Sequence, residues 1–211
     1  MNGLALETLA AFILTSAVIE LTPGPNMAWL AIVAATEGRR PGFAAVAGVA
    51  LGLAIVGVAA ALGVAALVTA SPFLYEALRW GGVFYLLWLA WDGWRDGGDG
   101  VDKMPFGARM LRYFRRGLIT NLLNPKAAVF YIAVLPAFTN PTGDALTETL
   151  TLSMIYVAVA TAIHVAIVVL AGLARHVLDD PRRSRIVRRT LSALLAVIAL
   201  WFAWTTGRAS F

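Results

Sequence analysis

The sequence contains no cysteine and only two histidines, and charged residues make up 14% of its 211 positions. Without cysteine there are no disulfides, no thiolate metal centres and no thiol redox chemistry. The shortage of imidazole and carboxylate leaves little from which a metal site is built. Apolar residues fill the space that charge leaves, at 60% of the chain, with a mean hydropathy of +0.77. That balance excludes an ordinary soluble domain. It fits a chain that threads a bilayer, whose hydrocarbon core of about 30 Å takes roughly 20 apolar residues per helical crossing.

What is present is a set of six apolar segments, at about residues 4–36, 42–70, 77–95, 117–138, 146–173 and 187–207. The stretch before Ala11 carries no cation, only Glu7, so the first segment is expected to stay as a span and not to be cleaved as a leader. Arg39 and Arg40 follow the first segment. Arg95, Lys103, Arg109, Arg112, Arg115 and Arg116 follow the third, and Arg175, Arg182, Arg183, Arg185, Arg188 and Arg189 follow the fifth. The other side holds only Arg79 and Arg208, while Lys126 falls inside the fourth segment. The positive-inside rule then predicts a multi-pass protein with both termini on the non-cytoplasmic side. The basic balance belongs to that topology and calls for no nucleic-acid partner.

Two short similarities point to an internal repeat. "TPGPNMAWLA" from Thr22 resembles "LLNPKAAVFY" from Leu122, and "WLAWDG" from Trp88 resembles "WFAWTTG" from Trp201. Three spans per half is an odd number, so the second half is expected to insert upside down, as in the inverted repeats of secondary transporters. The expected fold class is an all-α integral membrane protein of six helices in two inverted three-helix repeats, with helices one and four broken at proline motifs. Residues 1–95 form the first repeat, 96–116 a cytoplasmic linker and 117–211 the second. Within the linker, Ala108–Arg116 reads as an amphipathic piece resting on anionic headgroups. Gly48, Gly52, Gly57 and Gly63 in the second span are expected to serve close packing within the chain; a homodimer seam is the alternative.

The proline motifs carry the functional argument. Thr22-Pro23 and Asn124-Pro125 both read as an N-cap followed by the first residue of a new helix. Irregular backbone at membrane depth must be buried in protein or line a wet cavity. Half-helix N-termini attract anions, so a solute bearing a carboxylate is expected at Thr22, Pro23, Gly24, Pro25, Asn26, Asn121, Asn124, Pro125 and Lys126. A cation within a span needs an anion nearby, and Glu20 is the expected partner of Lys126. Coupling to protons needs a titrating group. Glu20 is the first candidate, with Asp92 and His164 behind it. Asn121 and Asn124, three apart, share a face if the helix runs through both, and would bind an amino group or satisfy the broken backbone. Tyr131 and Tyr156 line a pathway or serve as aromatic packing, the latter being the simpler reading.

"LTPGPNMAWLAI" in the first span, together with "RGLITNLLNPKAAVFYIAVLPAF" (Arg116–Phe138) and "YLLWLAW" at the end of the third, resembles the LysE/RhtB family of bacterial amino-acid exporters. The resemblance covers nearly the whole chain. It implies a secondary transporter of the bacterial inner membrane that exports amino acids or close derivatives by proton antiport, with no cofactor and no enzymatic activity. It implies roles for Pro23, Gly24, Pro25 and Asn26, and for Asn124, Pro125 and Lys126. Glu20 and His164 rest on the physical argument alone. A divalent metal-cation exporter of similar layout would need ligand clusters within the spans. A membrane-embedded enzyme would need a nucleophile, metal or acid–base pair. Neither is visible.

Overall fold

The structure, a computed structural model, describes residues 5–64, 71–95, 104–140, 143–173 and 181–207. Lys103, Arg175 and Arg208, the glycines of the 96–103 stretch and positions 65–70 of the second apolar segment lie outside them. All regular structure among the described residues is helical. The elements are α1 (Leu6–Leu21), α2 (Pro25–Thr36), α3 (Arg39–Ala61), α4 (Pro72–Arg95), α5 (Phe106–Leu122), α6 (Pro125–Val129), α7 (Ala145–Leu173) and α8 (Pro181–Gly207). A wider π turn (Phe130–Val134) and a tight 3-10 turn (Leu135–Phe138) carry α6 onward to Phe138.

Both α3 and α7 are long and apolar enough to cross a membrane alone. The pairs α1 with α2 and α5 with α6 reach that length together, bent by 61° and 48° at their breaks. Two of the six expected spans therefore stand on length and composition, and four do if each bent pair is one span. At 24 and 27 residues, α4 and α8 have the length of a span; α4 carries Glu76, Arg79, Asp92 and Arg95 among its apolar residues, and α8 opens on five arginines. The order of a broken pair followed by two long helices occurs twice. Packing follows the same exchange of halves: α3 lies on α5 as α7 lies on α1, while α3 meets α7 and α4 meets α8.

The chief departure from expectation concerns α5. It starts at Phe106, so Ala108–Arg116 is continuous with the helix that leads to the second break and is not a separate helix. Its polar face is used inside the protein, where Arg109, Arg112 and Arg116 meet carboxylates on α2 and α4. Its other face lies on α3. A Cβ on Gly48 would strike the Phe114 carbonyl, and one on Gly117 the Ala45 carbonyl, so these backbones touch. Gly52 faces Asn121, and Gly57 faces Ser153 and the Tyr131 hydroxyl. The glycine stripe is thus occupied within the chain. Gly63 departs from it: with φ of 84° it is the left-handed residue just past α3, facing open space.

Candidate functional site

The first break forms because α1 cannot continue through Pro23. Thr22, held extended by the proline after it (ψ 125°), closes α1: its N–H donates to Val18 and Ile19 carbonyls and its hydroxyl to Val18. Gly24 and not Thr22 is the N-cap of α2, and Pro25 and not Pro23 is its first residue. The reading of Thr22-Pro23 as a helix start is corrected accordingly, since one helix has to be ended before the next begins. The second break follows expectation, with Pro125 first in α6 and the Asn124 Oδ1 accepting the Lys126 N–H at 3.1 Å.

Lys126 is the second residue of α6 but its side chain reaches the other break. Nζ donates to the Thr22 carbonyl at 2.8 Å and lies 3.5 Å from the Glu20 carbonyl. The expected ion pair with the Glu20 carboxylate is replaced by this arrangement. The last carbonyls of α1 lack helical partners and carry the negative end of its dipole, which suits an ammonium. Gly24 leaves room for the lysine stem, since a Cβ there would lie 3.2 Å from Lys126 Cδ.

The Glu20 carboxylate, buried in the last turn of α1, turns toward α7 instead. Its Oε1 accepts the Tyr156 hydroxyl at 2.5 Å, and its Oε2 lies 3.3 Å from His164 Nε2, an ion-pair distance without the alignment of a hydrogen bond. Beneath it, Tyr156 stacks on Phe130 with ring centroids 3.6 Å apart and meets Tyr131 edge-on. Tyr156 is therefore both packing and a polar contact.

The breaks are also joined by amides. Asn26, one residue into α2, donates Nδ2 to Asn121 Oδ1 at 2.8 Å, with both side chains buried. This leaves Asn26 Oδ1 and Asn121 Nδ2 buried and without a partner among the described residues, as is His164 Nδ1. The expected pairing of Asn121 with Asn124 does not form, because α5 ends at Leu122 between them; Asn124 serves as a cap and Asn121 reaches α2. A buried carboxylate, an ammonium, an amide donor and an amide acceptor thus gather between two helix breaks. Such a set complements a small zwitterion.

The "LysE type translocator" family description matches residues 17–206. The chain belongs to the LysE type translocator family. It is 27% identical over 202 residues to the homoserine/homoserine lactone efflux protein of Salmonella typhimurium, covering 95% of this chain and 98% of that one. It is 35% identical over 131 residues to the leucine efflux protein of Salmonella choleraesuis, covering 59% and 60%. An uncharacterized membrane protein of Escherichia coli, YahN, is 32% identical over 146 residues, 66% of each chain. No solved structure matches.

This LysE type translocator keeps Asp92 apart from the central cluster. Asp92 sits near the end of α4 between Arg116 at 2.6 Å and Arg112 at 3.2 Å, both from α5. A second clamp, on a residue not among the expected site residues, holds Glu37 between Arg188 of α8 at 2.7 Å and Arg109 of α5 at 3.0 Å. These clamps close the arginine-rich side where α2, α4, α5 and α8 meet. Tyr156 had a readable signal: with Ala160 and His164 it recurs every four residues in an otherwise apolar helix, which marks one face. Glu37 had none, because its partners come from positions 72 and 151 residues away.

Proposed function

We propose that this chain is a secondary transporter exporting a small amino acid or a close derivative across the bacterial cytoplasmic membrane by proton antiport. The observation that carries this reading is the meeting of Glu20, Lys126, Asn26 and Asn121 at two helix breaks drawn from opposite halves of the chain. The family is one of translocators, and the relatives named for homoserine and leucine efflux point to amino acids. In this reading α1–α4 and α5–α8 are two inverted repeats of three spans, the second opening at Phe106. The arginine-rich connections face the cytoplasm and both termini face away. The recurring order of elements and the exchange of packing partners support it.

The substrate carboxylate is taken by Lys126 and Asn121 Nδ2, and its ammonium by Asn26 Oδ1 and Glu20. Backbone at Thr22, Pro23, Gly24 and Pro25, and at Asn124 and Pro125, shapes the floor between them. Glu20 binds a proton when the ammonium is absent and releases it when the ammonium arrives, so the two ligands alternate on one carboxylate. Tyr156 and His164 hold that carboxylate in place, and His164 passes the proton. The Glu37 and Asp92 clamps part to admit substrate from the cytoplasm. Purified protein in liposomes is expected to show counterflow with a panel of labelled amino acids, accelerated by an opposing pH gradient. Inertness toward the whole panel would overturn the reading.

A further inference from the structure

A second feature of the second break is a cavity of about 220 Å³ between α3, α4 and the α5–α6 bend. Ile55, Ala59, Leu78, Ala128 and Ile132 supply much of its wall, and all but two of its lining residues are apolar. The two exceptions, Asn124 and Tyr131, are themselves at least nine-tenths buried, and they also reach the polar cluster. Asn124 caps the N–H of Lys126, and the Tyr131 ring lies against Tyr156, the residue that holds Glu20.

From this juxtaposition we infer that the cavity receives the side chain of the transported amino acid and selects an aliphatic one of leucine size. The inference rests on the transport reading above and adds to it the class of side chain. The volume suffices: an apolar cavity of roughly 150 Å³ already admits benzene, which is bulkier than a four-carbon branched chain. The chemistry favours hydrocarbon. The Tyr131 hydroxyl is spent on the Leu53 carbonyl at 2.9 Å, and the Asn124 oxygen on Lys126. A hydroxylated side chain entering here has little beyond the Asn124 Nδ2 hydrogens to replace its water, since the rest of the wall is apolar, which is costly. No acidic residue lines the cavity to receive a cationic one.

The test is competition against labelled leucine and labelled homoserine in proteoliposomes by unlabelled alanine, valine, leucine, phenylalanine, homoserine and lysine. Wild-type protein is expected to bind leucine at least about tenfold more tightly than alanine, because each methylene placed in such a pocket is worth roughly 10-fold or more. Homoserine and lysine are expected to compete more weakly than leucine. Ala128→Leu fills the cavity and is expected to lose leucine binding while keeping alanine. Ile132→Ala widens it and is expected to admit phenylalanine, so the two variants move selectivity in opposite directions even if one folds poorly. Equal competition by alanine and leucine in the wild type, or selectivity unchanged in both variants, would overturn the inference and leave the cavity to lipid chains. Transport of homoserine with no preference for leucine would overturn it while sparing the transport reading. Failure of every amino acid to move would overturn both.

Discussion

Lys126 stands where a cation is unwelcome, at the start of α6, and spends its length reaching where one is welcome, at the finish of α1. The gain from a helix C-terminus is about 0.3–1 kcal/mol when exposed and up to about 2 when partly buried. Hydrogen bonds to a charged group add about 1.5–3 kcal/mol. Lys126→Met keeps the stem and removes the charge, so substrate binding is expected to weaken by about tenfold or more, read as a higher KM in counterflow. Unchanged KM would exclude Lys126 from the site. At the N-cap of α7, Asp144 accepts the Thr147 hydroxyl and the N–H groups of Thr147 and Leu146, and these bonds hold its carboxyl below its usual value. A depressed folded value means that the cap stabilises above the unfolded value, near pH 4, and is lost as pH falls through the folded one. The difference in Tm between wild type and Asp144→Ala should therefore be present at neutral pH and shrink in acid. The candidate residues were legible because each is a polar group in an apolar span. Their pairings were not: Glu20 and Lys126 look like partners along the chain, whereas helix-end carbonyls and α7 compete for them in space.

Among the elements, α5 tests the packing argument within a single helix. Gly117 faces the Ala45 carbonyl, whereas Gly107 has nothing within 4 Å of where its Cβ would stand. Gly117→Ala is expected to force α3 and α5 apart at about 1–3 kcal/mol, a fall of several degrees in Tm for a chain of this size. Gly107→Ala is expected to be neutral or to stabilise by about 0.4–1 kcal/mol through the unfolded chain. Equal effects would contradict the contact between these helices. The start of α5 was misread because its arginines, spaced three and four apart, suit a headgroup layer as well as they suit the buried Glu37 and half-buried Asp92 carboxylates. Only the positions of Glu37 and Asp92 decide between those readings, and they depend on how α2 and α4 pack. The second break was legible to the residue, since Asn-Pro is a cap followed by a proline whose missing N–H costs nothing there. The first was displaced by two residues because Thr-Pro-Gly-Pro offers two such starts.

For the molecule as a whole, the order of elements recurs and the two breaks meet, Lys126 of the second reaching the Thr22 carbonyl of the first. Glu20 belongs to one half of the chain, Lys126, Tyr156 and His164 to the other, so under the proposed antiport proton and substrate meet at one junction. Neutralising Glu37 as Glu37→Gln removes the charge that ties α2 to α5 and α8; it should raise the labelling of a cysteine introduced at Thr36, in a chain with no cysteine of its own. Unaltered labelling would deny the clamp a role in closing that side. The most direct test of the junction is proton movement driven by substrate, measured with a pH-sensitive dye inside liposomes preloaded with leucine. Wild-type protein is expected to acidify the lumen as leucine leaves, and Glu20→Gln to exchange leucine for leucine with no acidification. Acidification by Glu20→Gln at the wild-type rate would contradict the account.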